Sequence, residues 1–440
     1  MSVETMSGVL LRAADLHGSV TDPGMESMNF LNEVVGRFPD AISFAPGRPY
    51  EGFFETSQVF DYLKAYTDYL ERERGFTPAQ VRTNIFQYGR TNGHIHDLIA
   101  RTVSNDEGIE VSPQSVVVTV GCQEGMLLTL RALFAGPDDV LLVSSPCYVG
   151  ITGTATVLDI PIHPVPEGPH GVDPAAVAAA AAEVRAQGKR PRAMYLVPDF
   201  ANPSGSSMPV EAREELLRVA EQEDLLLLED NPYGFFLREG NPRPTLKALD
   251  RAKRVIYLGS FAKTGFPGAR VGYVLADQPV AALDGTVGVL ADSLSKIKSM
   301  TTVNTAALSQ AAIGGMLVLA DCKLRDANAQ AIDFYRTNLQ TVLDQLEHHF
   351  PADVRASLGI SWNAPEGGFF LVVKVPFPAN DAALHRAAGD YGVLWTPMSY
   401  FHHDTAGDHQ LRLSCSALDP DTIVEGMTRL ARFIKDSSAA

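Results

Sequence analysis

A lysine that emerges just past an apolar strand is placed to work as an amine nucleophile. The run Val255-Ile256-Tyr257-Leu258 leads directly into Gly259-Ser260-Phe261-Ala262-Lys263-Thr264-Gly265-Phe266-Pro267-Gly268-Ala269-Arg270. In an open α/β sheet, ligands bind at the C-terminal edge of the strands. A lysine desolvated there beside other cations has a depressed pKa and attacks aldehydes. The Ser260 hydroxyl, three residues earlier, and Arg270, seven residues later, can grip a phosphate while the lysine holds the aldehyde. Taken alone, the stretch also reads as an exposed loop lysine beside an unrelated arginine.

Four further strand ends carry polar or aromatic groups. Leu225 to Leu228 lead into Glu229-Asp230-Asn231-Pro232-Tyr233. A carboxylate at Asp230 can keep a pyridine nitrogen protonated and so turn the ring into an electron sink, while Tyr233 can donate to a phenolic oxygen on that ring. Asp230 equally suits a turn or cap, and Tyr233 a core position. Asn202, in Pro198-Asp199-Phe200-Ala201-Asn202-Pro203-Ser204-Gly205, can supply an amide N–H to the same oxygen, although the segment by itself is a turn. Gly121-Cys122-Gln123-Glu124-Gly125 lies between a strand and a helix, where backbone N–H groups at the positive helix end form a phosphate cradle or an ordinary connection. Tyr148, in Pro146-Cys147-Tyr148-Val149-Gly150, offers a flat face for a ring to stack on, or a core aromatic. The signals are modest singly, but they follow one another on successive strand ends. An aldehyde, a phosphate, a protonated ring nitrogen and a phenolic oxygen together describe pyridoxal 5'-phosphate, with Lys263 holding it as a Schiff base.

The elements that must position these groups alternate along the chain. Val116 to Val120, Asp139 to Val143, Ala193 to Val197, Leu225 to Glu229, Arg254 to Leu258 and Val271 to Leu275 read as strands, several of them apolar throughout and hence buried on both faces. Gln123 to Phe134, Pro174 to Gln187 and Pro209 to Glu223 read as helices, the second opened by Asp173 as cap and Pro174 in the first turn. This rhythm specifies a mostly parallel α/β sheet. After about Gln310 a long helix to roughly Phe350 is expected, followed by short strands near Gly368 to Val375 and Gln410 to Ser414, which make a smaller α+β domain. The expected division is 1–55 as an N-terminal arm and part of the small domain, 56–315 as the large domain and 316–440 as the small domain. Leu16 to Phe54, rich in Pro, Gly and aromatics, suits an arm that crosses onto a partner.

Bulk properties exclude several functions. The 440 residues are 45% hydrophobic and 20% charged, as in a folded protein of more than one lobe. A net charge of -16 opposes nucleic acid and anionic membrane surfaces. Cys122, Cys147, Cys322 and Cys415 have neither disulfide nor metal spacing, no apolar run reaches the roughly 18 residues of a membrane span, and no secretory leader is seen. A cytoplasmic enzyme of small molecules, without metal, is expected.

In this order, the motifs resemble the class I aminotransferases of fold-type I, especially the α-aminoadipate/kynurenine aminotransferase branch. The resemblance begins at Ile42-Ser43-Phe44-Ala45-Pro46-Gly47-Arg48-Pro49, continues through Phe86-Gln87-Tyr88-Gly89 and ends with Pro365-Glu366-Gly367-Gly368-Phe369-Phe370 and Leu411-Arg412-Leu413-Ser414. It implies a large domain with a mostly parallel seven-stranded sheet. It also implies a substrate site in which Arg412 clamps the α-carboxylate, Asn202 assists and Gly47 leaves room for the side chain. Tyr88 is implied to reach the cofactor phosphate of a neighbouring subunit, which makes the expected assembly a homodimer with shared active sites. Ala262, Ala201 and Pro397-Met398 depart from common family residues, the last pair suggesting a reshaped pocket. More narrowly, Met28-Asn29-Phe30-Leu31-Asn32-Glu33-Val34 and Val120 to Met126 are similar to the (S)-3,5-dihydroxyphenylglycine and 4-hydroxyphenylglycine transaminases that make arylglycines for peptide antibiotics. Tyr50, Phe53, Phe54 and Phe401 are candidates for the pocket wall. Two alternatives stay open: decarboxylation or oxidation of an amino acid on the same fold, and a regulatory sensor that binds the cofactor without turnover. Arg412 favours transamination. The acidic charge and the lack of a basic helix-turn-helix before Leu16 oppose the sensor.

Overall fold

The computed structural model describes residues 11–439; residues 1–10 of the expected N-terminal arm, Ala440, and the side chains of Ser27, Met28 and Asn32 lie outside the described residues. The strands, in chain order, are β1 (Ile42–Ser43), β2 (Val116–Thr119), β3 (Asp139–Ser145), β4 (Ile162–Gly168), β5 (Gly171–Val172), β6 (Arg190–Leu196), β7 (Leu226–Asp230), β8 (Val255–Ser260) and β9 (Gly272–Leu275), followed by the short hairpin Pro279–Ala281 and Val287–Val289 and by five strands near the C-terminus.

The large sheet has the order β2-β9-β8-β7-β6-β3-β4, with the two-residue β5 folded back on β4 as an antiparallel extension. Pairing from β8 through β4 is parallel, and β9 runs antiparallel between β2 and β8. Because strand side chains alternate, apolar runs feed both faces. Leu142, Met194, Leu196 and Leu227 meet the helices Pro174–Ala186 and Val210–Gln222 on one face. Leu141, Val143, Leu228 and Ile256 meet the helix Gly121–Leu133 on the other. Each Leu or Ile so buried contributes about 1.5–3 kcal/mol relative to exposure.

The expected strands are all present. Among the strands that were not expected, β4 is half-exposed and carries Pro164 and Pro166, which an outer strand tolerates because it needs fewer ladder donors. The single long helix expected after Gln310 is instead three helices, Ala307–Leu319, Leu324–Ala327 and Ala329–His349. Asp321 and Cys322 between them have φ of 48° and 54°, which no helix continues. Asp106 restarts the chain by accepting the Leu324 N–H at 2.8 Å. Met316, Leu317, Cys322 and Leu324 still pack in the core that contains β2, β8 and β9, so that core extends past residue 315.

The C-terminal lobe is built on a four-stranded sheet in which Gln410–Ser414 lies between Phe370–Lys374 and Thr396–Pro397. The N-terminal segment folds onto this lobe. Asp22 caps the helix Pro23–Arg37, accepting from Gly24 and Met25, with Pro23 in the first turn. Leu31 and Val34 enter the lobe's core beside Trp395 and Phe433, and β1 pairs in parallel with Val393–Leu394. Among the described residues, no helix is long and apolar enough to cross a membrane.

Candidate active site

The parallel strands β3, β6, β7 and β8 all finish at one sheet edge, and antiparallel β9 starts there, with Ser260 opposite Gly272. This register returns Arg270 beside Lys263. Arg270 itself holds a left-handed backbone, φ 52° and ψ 49°, an unfavourable conformation for a side-chain-bearing residue that surrounding structure must impose. Gly121, φ 70°, opens the helix Gly121–Leu133 at the same edge, and a Cβ there would run into the Arg270 guanidinium. The arginine therefore lies directly over the glycine turn, at a helix end whose N–H groups attract anions.

These groups line a cavity of about 550 Å³ that includes Gly47, Cys122, Gln123, Tyr148, Asn202, Asp230, Tyr233, Ser260, Lys263, Arg270 and Arg412. Lys263 Nζ donates to the Gly47 carbonyl at 2.7 Å. Desolvation, and then the Arg270 charge, lower the lysine to about 8 against the opposing pull of Asp230. Asp230 is buried and lifted to about 6 by that burial, although Tyr195, Cys122 and Lys263 favour its anion. Burial also raises Tyr148 to about 12 and drives Tyr233 up. The Tyr233 ring stands edge-on to Phe369 and Phe370, with centroids 5.4 and 5.5 Å away.

Arg412 is the most constrained group. It sits mid-strand in the small sheet, between Val372 and Thr396. Its guanidinium lies between the Phe370 and Phe401 rings, 4.5 and 4.9 Å from their centroids. It donates to Asn202 Oδ1 and to the Ala45 carbonyl, both at 2.6 Å, and to Thr396 Oγ1 at 3.1 Å. Its Nε is buried without a partner. The residue lines the cavity, so its guanidinium sets a fixed cation there that suits an anionic ligand.

Of the sequence-derived cofactor and substrate residues, Tyr88 is not brought to the cavity of its own chain and is 86% exposed, and Gly121 stands behind the lining, against the Arg270 guanidinium. The Gln123 side chain turns away to the Gly150 carbonyl and Thr154 Oγ1, both at 2.7 Å, which leaves its backbone to face the cavity. Ser260 Oγ accepts the Ala262 N–H at 3.1 Å and keeps its own proton to donate. Phe401 is in the wall, whereas Phe53 and Phe54 line a neighbouring cavity beyond Lys263 and Tyr50 stacks on Phe334. Sequence reasoning missed Tyr195, Ala45, Thr396, Leu31 and Val35. The last two lie four residues apart on the helix Pro23–Arg37, and the Asp22-Pro23 start was a readable signal for that helix.

The donor set fits pyridoxal 5'-phosphate. An amine near neutrality faces a buried carboxylate, and an arginine over a glycine turn stands at the same sheet edge. Arg412 lines the same cavity and supplies a cation for a substrate anion. The chain belongs to the class I and II aminotransferases, whose description matches residues 61–430. It is a fold-type I transaminase, and its cofactor is pyridoxal 5'-phosphate.

Among its relatives, it is 51% identical to the (S)-3,5-dihydroxyphenylglycine transaminase of Amycolatopsis orientalis, over 95% of this chain and 93% of that protein. The multiple substrate aminotransferase of Thermococcus profundus superposes with a TM-score of 0.81 at 27% identity, covering 96% of this chain and 98% of that one. The Pyrococcus horikoshii kynurenine aminotransferase, solved with PMP, gives 0.77 at 28% identity over 93% and 94%.

Proposed function

We propose that this enzyme moves an amino group between an arylglycine, such as 3,5-dihydroxyphenylglycine or 4-hydroxyphenylglycine, and a 2-oxo acid, as part of antibiotic biosynthesis. The carrying observation is the 51% identity, over 95% of the chain, to a transaminase named for that substrate. The cavity agrees in character: Leu31, Val35, Met126, Val149 and Phe401 give it an apolar side opposite polar Lys263 and Asp230.

When bound, the cofactor supplies an aldehyde that carries the amino group and a ring that accepts the electron pair released at the α-carbon. Arg270, the Gly121–Gln123 backbone and Ser260 would hold its phosphate, Asp230 would hold its ring nitrogen, Tyr233 and Asn202 would donate to its phenolic oxygen, and Tyr148 would stack on the ring. Arg412 would orient the substrate carboxylate through its charge and the Nη1 proton that Asn202 does not take. Lys263 Nζ, lowered to about 8, takes the substrate's α-proton once its amine is free. The aromatic walls and the N-terminal helix exclude water around that transfer. A homodimer completes the site, with exposed Tyr88 reaching the neighbouring subunit's phosphate position, and the protein works in the cytoplasm.

The test is a donor panel followed by the loss of the cofactor's visible absorption band. Arylglycines should convert the enzyme at donor concentrations where aminoadipate, kynurenine and aliphatic donors do not. Conversion only by the latter group would leave the aminotransferase and sink the arylglycine assignment.

A further inference from the structure

We propose that Tyr195 is a positioning residue for the cofactor: its hydroxyl pins Asp230 so that one carboxylate oxygen alone is presented to the ring nitrogen. This rests on the assignment of Asp230 to that nitrogen.

Tyr195 lies on β6, next to β7, and its side chain is wholly buried. In register, Tyr195 pairs with Leu228 and Leu196 with Glu229, so the tyrosine stands two residues short of Asp230 across the ladder. A tyrosine is long enough to cover that offset, and its hydroxyl donates to Asp230 Oδ2 at 2.7 Å. Oδ1 faces the Cys122 sulfur at 3.6 Å, a weak thiol contact on the cavity side. The two oxygens thus differ: Oδ2 is held from within the sheet by a strong donor, and Oδ1 has only the weak Cys122 thiol contact, on the cavity side.

The arrangement is asymmetric in energy as well as geometry. Burial disfavours the Asp230 anion, and the Tyr195 hydrogen bond is the first of the contributions that oppose it. Remove the hydroxyl and the carboxyl loses both its support as an anion and its fixed rotamer. A neutral, rotating carboxyl cannot keep a ring nitrogen protonated. Burial and the neighbouring Asp230 carboxylate also push the Tyr195 phenol far above its ordinary range, so it stays a donor through any working pH. The hydroxyl reaches Asp230 and not the cavity, where Tyr195 is absent from the lining; it acts only through the carboxylate.

The experiment is a double-mutant cycle on Tyr195→Phe and Asp230→Asn, read as the dissociation constant of pyridoxal 5'-phosphate from the refolded or cofactor-stripped protein and as the absorption maximum of the bound form. Tyr195→Phe should weaken cofactor binding roughly ten- to hundredfold, the effect of losing a hydrogen bond to a charged group. The double variant should be no weaker than Asp230→Asn, because the hydroxyl has nothing else to act on. Tyr195→His, which retains a ring N–H donor, should recover part of the affinity and serves as the second variant should Tyr195→Phe not be recovered folded. Unchanged affinity and absorption in Tyr195→Phe, with a large loss in Asp230→Asn, would overturn the role of Tyr195 alone. Losses that add in the double variant would make Tyr195 a merely structural residue. No effect of Asp230→Asn would overturn the assignment of Asp230 and this inference with it.

Discussion

Arg412→Lys is the substitution whose outcome follows most closely from geometry. The guanidinium is packed by the Phe370 and Phe401 rings and held by Asn202, Ala45 and Thr396, which leaves one Nη1 proton for an incoming carboxylate. A charge-assisted bond from this fixed guanidinium is worth about 1.5–3 kcal/mol, and a lysine ammonium, a point donor on a flexible stem, does not hold the carboxylate in the same place. The net loss of about 1.5–3 kcal/mol is roughly a ten- to 150-fold fall in kcat/KM. It should appear mainly in KM, since the carboxylate is held before and during the proton transfer. The assay compares an arylglycine with the matching arylmethylamine, which has no carboxylate. The wild type should prefer the amino acid strongly, and Arg412→Lys should shrink that preference by the stated factor while leaving the amine's slow turnover nearly unchanged. An unchanged preference would refute the clamp, whatever happened to the absolute rates.

Three further outcomes follow from the same structure. Since Lys263 titrates near 8, capture of pyridoxal 5'-phosphate by the cofactor-free protein should slow about tenfold per pH unit below that value and level off above it, by stopped-flow absorbance; a flat profile would contradict the lowered pKa. Glu107, which accepts from Tyr257 at 2.6 Å and Asn231 at 3.0 Å, is raised by burial to about 7 against the pull of those donors and Arg325. The native state then binds the extra proton between the unfolded value near 4.5 and 7, so stability falls as pH rises through that window. Glu107→Gln should remove about 1–3 kcal/mol of that fall, measured as the change in its denaturation difference from wild type between pH 5 and 8. Leu31→Ala should lower kcat/KM for arylglycines roughly five- to thirtyfold relative to alanine as donor, in side-by-side steady-state kinetics, because it removes apolar surface from the cavity wall.

The chemistry at strand ends was readable because each key residue ends a buried strand or follows within a few residues of one, and the C-terminal ends of parallel strands share one sheet edge. That is why Lys263, Asp230, Asn202 and Tyr148 could be placed together from the sequence. The small lobe was readable mainly by resemblance: nothing local in Leu411-Arg412-Leu413-Ser414 tells that Phe370 and Phe401 will sandwich the arginine. Tyr195 escaped notice because it lies inside a strand rather than past its end, and its significance depends on a two-residue offset in register with β7. Glu107 acts from the end of the helix His96–Glu107 on a turn far along the chain, a contact without any sequence spacing. The break at Asp321 and Cys322 was likewise hidden, since neither residue is Gly or Pro and the left-handed backbone there is imposed by packing of Cys322 and Leu324.

The most direct measurement of the central claim is reduction of the purified holoenzyme with borohydride followed by peptide mapping. Reduction fixes the cofactor to whichever amine carries it. The pyridoxyl group should be found on the peptide containing Lys263, and Lys263→Ala protein should yield no labelled peptide and no visible absorption band. Label on another lysine, or an intact band in Lys263→Ala, would contradict the account.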